Sequence, residues 1–144
     1  MSPSTLHWNL GLAWIAFALA VAAHVTDEAR HNFLDTYNPS ALAIRRHLHL
    51  PFPPVFTFRG WLGGLIAGIV FLFLLSPFAF HGAHWIRLVA LFLAIVIGIG
   101  NALLHIASSL MYRRQMAGVL SSPLLLAAGI WLLWSVCGET PALF

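Results

Sequence analysis

Apolar residues in this chain come in long unbroken runs rather than alternating with polar ones. Four runs stand out, at positions 6–30, 60–80, 84–112 and 117–137. Each is near or above the ~20 residues that cross a bilayer as a helix, because a helix rises about 1.5 Å per residue through hydrocarbon ~30 Å thick. A spanning segment must also satisfy its backbone polar groups internally, which a helix does. The pattern predicts an all-α fold: a polytopic membrane four-helix bundle, with positions 1–144 forming a single membrane domain. The third run is the longest and is expected to tilt or to project beyond the hydrocarbon. Pro77 is expected to end or bend the second span, and Pro123 to distort the first turns of the fourth. Gly60, Gly64 and Gly68 recur every four residues, a smooth ridge on which a neighbouring helix can pack closely.

Positions 31–59, between the first two runs, form the sizeable extramembrane piece. Asn38-Pro39-Ser40 reads as a helix start, and the residues that follow predict a short interfacial helix ending before Pro51. Arg45 and Arg46 on it suit anionic lipid headgroups, while His47 and His49 read as solvated. Pro51-Phe52-Pro53-Pro54 then forces an extended return to the membrane.

Composition supports the membrane reading. Sixty per cent of the residues are hydrophobic, 8% are charged and the mean hydropathy is +0.89, so lipid must cover what polar side chains cannot. Charge adds an orientation. All seven basic residues are arginines, and six of them (Arg30, Arg45, Arg46, Arg59, Arg113 and Arg114) follow the first or third run, leaving Arg87 on the other side. The positive-inside rule then makes those two loops cytoplasmic and puts both termini outside, in an inner (cytoplasmic) membrane. The aromatic residues agree, with Trp8, Trp85, Trp131 and Trp134 at the outer interface and Trp61, Tyr37 and Tyr112 at the inner one. The first run lacks a basic region before it and is too long for a signal core, so it reads as a mature span. No basic run with interleaved aromatics suggests nucleic acid as a partner, and the single Cys137 excludes an internal disulfide.

The candidate chemistry sits on two helices. At 100° per residue, His24, Asp27, Glu28 and His31 share one face of the first span, within ~100° of arc. An ionised acid at mid-membrane costs ~2.5–3.5 kcal/mol on insertion scales, so these groups need partners or a polar cavity. The third span offers a matching stripe, Asn101, His105, Ser108 and Tyr112, at spacings of four, three and four. His105 lies about 12 Å before Arg113 along its helix and His24 about 9 Å before Arg30, so the stripes lie at similar depth and can face each other. His24, Glu28, His31 and His105 could then surround a zinc or non-haem iron ion. Asp27 or Asn101 would orient a ligand, with Ser108 and Tyr112 further along the stripe, or Asp27 would act as general base on a metal-bound water. Glu28-Ala29-Arg30-His31 also reads as the Glu-x-x-His of di-iron bundles, but Asp27, Glu28, Asp35 and Glu139 are too few acids for that site.

At these residues the chain resembles a family of small bacterial membrane proteins named for an HXXEE motif. The motif here is His24-Val25-Thr26-Asp27-Glu28, with Asp in the first acidic position. A second similar stretch runs from Asn101 through His105 to Arg114, followed by Gly118 and a Pro123-containing apolar span. The family's Tyr-x-Pro-Gly-like turn is represented here by Gln115-Met116-Ala117-Gly118, keeping only the glycine. The resemblance implies a membrane fold of four to five helices with His and acidic residues at its centre, and His24, Glu28 and His105 carry over directly. It supplies no reaction.

Three functional readings follow. The first is a metal-dependent membrane enzyme, a hydrolase or oxidoreductase, acting on a hydrophobic or lipid-like small molecule near the cytoplasmic side, with Asp27 and Glu28 as its acid/base groups. In a metal-free form, Asp27 or Glu28 would transfer protons as in an isomerase. The second is a haem- or chlorophyll-binding accessory subunit packed against other membrane subunits, with His24 and His105 as axial ligands. The third is a cofactor-free assembly protein among membrane lipids, in which Asp27 and Glu28 pair with Arg30.

Overall fold

The structure, a computed structural model, describes residues 3–138, with side chains from residue 8 onward. Glu139 and both chain ends lie outside the described residues. The described chain is helical, with five helices: α1 (Pro3–Arg30), α2 (Phe33–Leu48), α3 (Phe58–Phe80), α4 (His84–Tyr112) and α5 (Ser122–Cys137). Three of them are long and apolar enough to cross a membrane, over Trp8–Arg30, Phe58–Phe80 and His84–Tyr112.

The fourth run differs from expectation. Its helix begins at Ser122 rather than near position 117 and has 16 residues, about 24 Å at the helical rise. Gly118 takes a left-handed conformation, φ +84°, and stops a helix from starting earlier. The chain then turns through Ser122 N–H to Gly118 C=O, 3.1 Å. Pro123 falls in the first turn, where its missing N–H has no helical acceptor to disappoint, so it opens the helix instead of distorting it.

α2 also begins earlier than expected. Only His31 and Asn32 separate it from α1, and Asn32 makes the break by adopting φ 53°, which Asn tolerates better than most residues. Pro39 is therefore inside α2 rather than at its start. The helical donor it removes belongs to the Asp35 carbonyl, at an exposed residue where water can replace it. Pro77 is likewise contained within α3. Its missing N–H frees the Phe73 carbonyl, and Ser76 Oγ donates to that carbonyl at 2.7 Å.

α1 is the central element, packed against α3 on one side and α5 on another, while α5 also rests on α4. Leu10, Trp14 and Phe17 of α1 meet Ile86, Ala90 and Ala94 of α4 and Leu125 and Leu132 of α5 in one apolar core. Trp14 Nε1–H donates to the Leu72 carbonyl of α3 at 2.8 Å, satisfying a buried indole. Among the described residues nothing packs on the glycine ridge of α3 at Gly64 and Gly68. A Cβ at Gly64 or Gly68 would meet nothing within 4 Å, and Gly60 serves the helix start, its N–H donating to Thr57 Oγ1.

α4 contains a π-helical stretch, Leu93–Gly100. Its buried positions Ile86, Ala90, Ala94, Gly98 and Ala102 repeat every four residues. In a regular α-helix each such step drifts about 40° round the axis, because four residues advance 400°. The wider winding of the π stretch keeps this small-residue row on one face. At Gly98 the helix backbone touches that of α5: a Cβ there would lie 2.7 Å from Gly129 Cα. The two helices cross here without side chains between them, and one turn further along the polar stripe begins.

Candidate metal centre

Asn101 starts the regular α-helical turns that follow the π stretch and projects its amide toward α1. Four residues on, His105 does the same, and both meet His24 and Glu28, themselves one turn apart on α1. Glu28 Oε1 lies 3.0 Å from His105 Nε2 and 3.6 Å from His24 Nε2. The two imidazoles meet edge to face with centroids 4.8 Å apart. All three side chains are buried: His24, Glu28 and His105 retain 3%, 6% and 8% of their surface. One donor atom from each falls within 4.8 Å of the others, a set that could hold a metal ion.

The surrounding hydrogen bonds decide which nitrogen of His24 faces this point. Asp27 Oδ2 accepts from Ser121 N–H at 2.9 Å and from Ser121 Oγ–H at 2.8 Å. Ser121 Oγ–H also reaches the Gly118 carbonyl at 3.1 Å; with its proton on either of these oxygens, Ser121 Oγ accepts from His24 Nδ1–H, 2.9 Å away. Nε2 of His24 is then the unprotonated nitrogen, and it accepts from Asn101 Nδ2–H at 3.0 Å. A carboxylate acting on a ligand histidine through a hydroxyl is a second tier of support of the kind that fixes tautomer and ring orientation. On the other histidine, Nε2–H donates to Glu28 and so must lose its proton if it is to bind an ion.

Gly118 closes the site from the α4–α5 turn. A Cβ at that position would lie 2.8 Å from His105 Nδ1 and Cε1 and 3.0 Å from His24 Cε1, so only a glycine lets the turn sit against both rings. Ser122 Oγ holds the same turn by donating to Gly118 C=O at 2.7 Å.

Of the expected site residues, His24, Glu28, His105 and Asn101 come together. His31 does not join them: its side chain is 44% exposed and its Nδ1 pairs with Asp27 Oδ1 at 2.7 Å. Its N–H still makes the helical bond to Asp27 C=O at 3.1 Å, and its Nδ1 lies 2.9 Å from that same carbonyl, so the ring folds back on Asp27. Asp27 sits beside the cluster, acting through Ser121. Ser108 lines a cavity next to His105. Tyr112, near the end of α4, is 65% exposed and lies away from the centre. Ser121 and Gly118 are contributors that helical spacing alone did not single out. The signal was local: a Gly-x-x-Ser-Ser-Pro sequence before an apolar run is a turn with its helix start, hence a fixed point from which side chains can be aimed.

No family model matches this chain, and no curated protein or solved structure does.

Proposed function

We propose that this protein is an integral membrane metalloenzyme whose ion is held by His24, Glu28 and His105 near the cytoplasmic side, acting on a hydrophobic or lipid-like substrate. The observation that carries this reading is the convergence of two imidazoles and one carboxylate, all buried, between two helices apolar enough to span a membrane. Two histidines and a carboxylate are the protein ligands of many catalytic zinc sites and of non-haem iron oxygenases, both of which keep positions open for water or substrate. A bound divalent ion would polarise a carbonyl or supply hydroxide at neutral pH. Donor atoms bound at 2.0–2.1 Å in a tetrahedral site lie about 3.3 Å apart, so His24 and His105 need only a small approach. Asp27 is a positioning residue, orienting His24 through Ser121. The same reading places α1, α3, α4 and α5 across the membrane as a four-helix bundle with both termini outside. It also keeps the chain with the HXXEE-motif proteins it resembles.

A haem or chlorophyll between His24 and His105 fits less well. Both Nε2 atoms converge on one carboxylate oxygen, which occupies the slot a macrocycle would need.

Metal analysis of the protein purified in detergent tests the reading. Wild type is expected to hold about one zinc or iron per chain, and His24→Ala/His105→Ala to hold none. A wild-type protein that takes up neither metal, or a double variant with unchanged content, would overturn it.

A further inference from the structure

His105 and Asn101 reach more than the cluster. They also form one wall of a cavity of about 500 Å³ between α2 and α4, a size typical of small-molecule sites. The roof is α2, which contributes Phe33, Thr36, Tyr37, Ser40 and Ile44, and the floor continues along α4 through Leu104 and Ser108. The roof is held in place. Asn38 exchanges two hydrogen bonds with the return segment, Nδ2–H to Phe56 C=O at 2.9 Å and Phe56 N–H to Oδ1 at 3.0 Å, and Tyr37 OH donates to Pro54 C=O at 3.1 Å. Phe33 ties the roof to the site, with ring centroids 5.5 Å from Tyr37, 5.8 Å from Trp61 and 5.8 Å from His105.

The lining chemistry is specific in what it offers. Besides His105 and Asn101 it carries hydroxyl groups among aliphatic and aromatic side chains, and no Arg, Asp or Glu is among the lining residues. Among the described residues the Thr36 and Ser108 hydroxyls have no hydrogen-bond partner, and Ser40 Oγ donates to Thr36 C=O, leaving its lone pairs available. An anionic headgroup would find no cation here and would approach the Glu28 carboxylate; burying an unpaired charge is far costlier than burying a hydrogen-bonded neutral group. Leu104 and Ile44 are 67% and 45% exposed at the mouth, so an alkyl chain can leave the cavity along apolar surface.

We infer that this cavity admits an uncharged single-chain amphiphile, with a hydroxyl or carbonyl head directed at His105 and Asn101 and its alkyl tail leaving between α2 and α4 toward the lipid. The assignment deepens the proposed function and rests on it for the reaction, but binding itself does not require the metal. Thr36 and Ser108 hydrogen-bond the head, and Phe33 and Tyr37 cover the first part of the chain.

The test uses the full-length protein in nanodiscs, with and without prior chelation, and a photoreactive hexadecanol as probe. Labelling is expected to be saturable, to map to residues 33–44 and 104–117, and to be competed by hexadecanol about tenfold more effectively than by hexadecyl phosphate. Ser108→Phe, which fills the floor, is expected to weaken competition about tenfold, and the milder Thr36→Val/Ser108→Ala pair to do so by a smaller factor, both at wild-type metal content. Equal or stronger competition by the phosphate, labelling spread evenly over the lipid-facing helices, or both variants behaving as wild type would overturn the inference. Chelated protein that still binds hexadecanol, from a wild type that never held metal, would sink the metalloenzyme while leaving this cavity assignment standing.

Discussion

α3 and α5 are both strongly apolar, yet they do opposite things. α3 is long enough to span a bilayer and has a mean hydropathy of 2.3, but only 6% of its apolar window is buried within the protein. α5 is shorter, and Ser122, Leu125, Ala128, Gly129, Leu132 and Ser135 along it are all buried. The glycines make the contrast plain. Gly64 and Gly68 of α3 face open space, whereas Gly129 of α5 lies against the backbone of Gly98. Hydropathy measures what lipid will accept. It does not identify which apolar helix will be packed by protein, because lipid tails and leucine side chains are equally apolar and helix association depends on close fit and hydrogen bonds. The candidate cluster accordingly lies where α1 and α4 meet beside the start of α5, although α4 has the same mean hydropathy as α3, 2.3.

The contrast can be broken most sharply at the backbone crossing. Gly129→Val places side-chain atoms where only 2.8 Å separates a Cβ from Gly98 Cα, and the loss expected is about 3 kcal/mol, at the upper end for overpacking. Thermal unfolding in detergent reads it, and a variant as stable as wild type would mean the helices are not locked at this point. Next in size is the link between α5 and the candidate metal. Ser121→Ala removes the hydroxyl between Asp27 and His24 and is expected to weaken metal binding about ten- to a hundredfold, as losses of outer-shell partners do. Competition with a chelating dye measures this, and unchanged affinity would remove Ser121 and Asp27 from the support of the site. The smallest effect should come from α3. A Cβ at Gly64 or Gly68 meets nothing among the described residues, so for Gly64→Val and Gly68→Val a stability change within about 0.5 kcal/mol is expected. A large loss there would show that the ridge is packed after all, by another chain.

Much of the site could be read without coordinates. The spacing of His24 to Glu28 and of Asn101 to His105 put each pair on one helical face, and matching distances to arginines suggested a common depth. His31 lies on that face, its N–H still bonded to the Asp27 carbonyl, but its ring folds back on Asp27 instead of joining the cluster; spacing gives a face and not which neighbour on it a side chain meets. Ser121 was hard to see because its role depends on a turn rather than a period. Its neighbours Gly118 and Pro123 did mark that turn, and small residues every fourth position from Ala90 to Ala102 also carried a signal, a row that a widened helix keeps on one face.

The amino-acid sequence by itself determined the helical character of the chain, the number of apolar runs and the residue types available for chemistry. These follow from local physics: run length, residue hydropathy and side-chain donors do not depend on where the helices end up. Only the tertiary structure decided that His24 meets His105 across Glu28, that Ser121 turns His24 to face them, and that α3 packs on one side of α1 with most of its own surface left uncovered. Those outcomes depend on backbone approach at Gly98 and Gly129 and on the left-handed turn at Gly118, where fractions of an ångström between distant segments determine which side chains can touch.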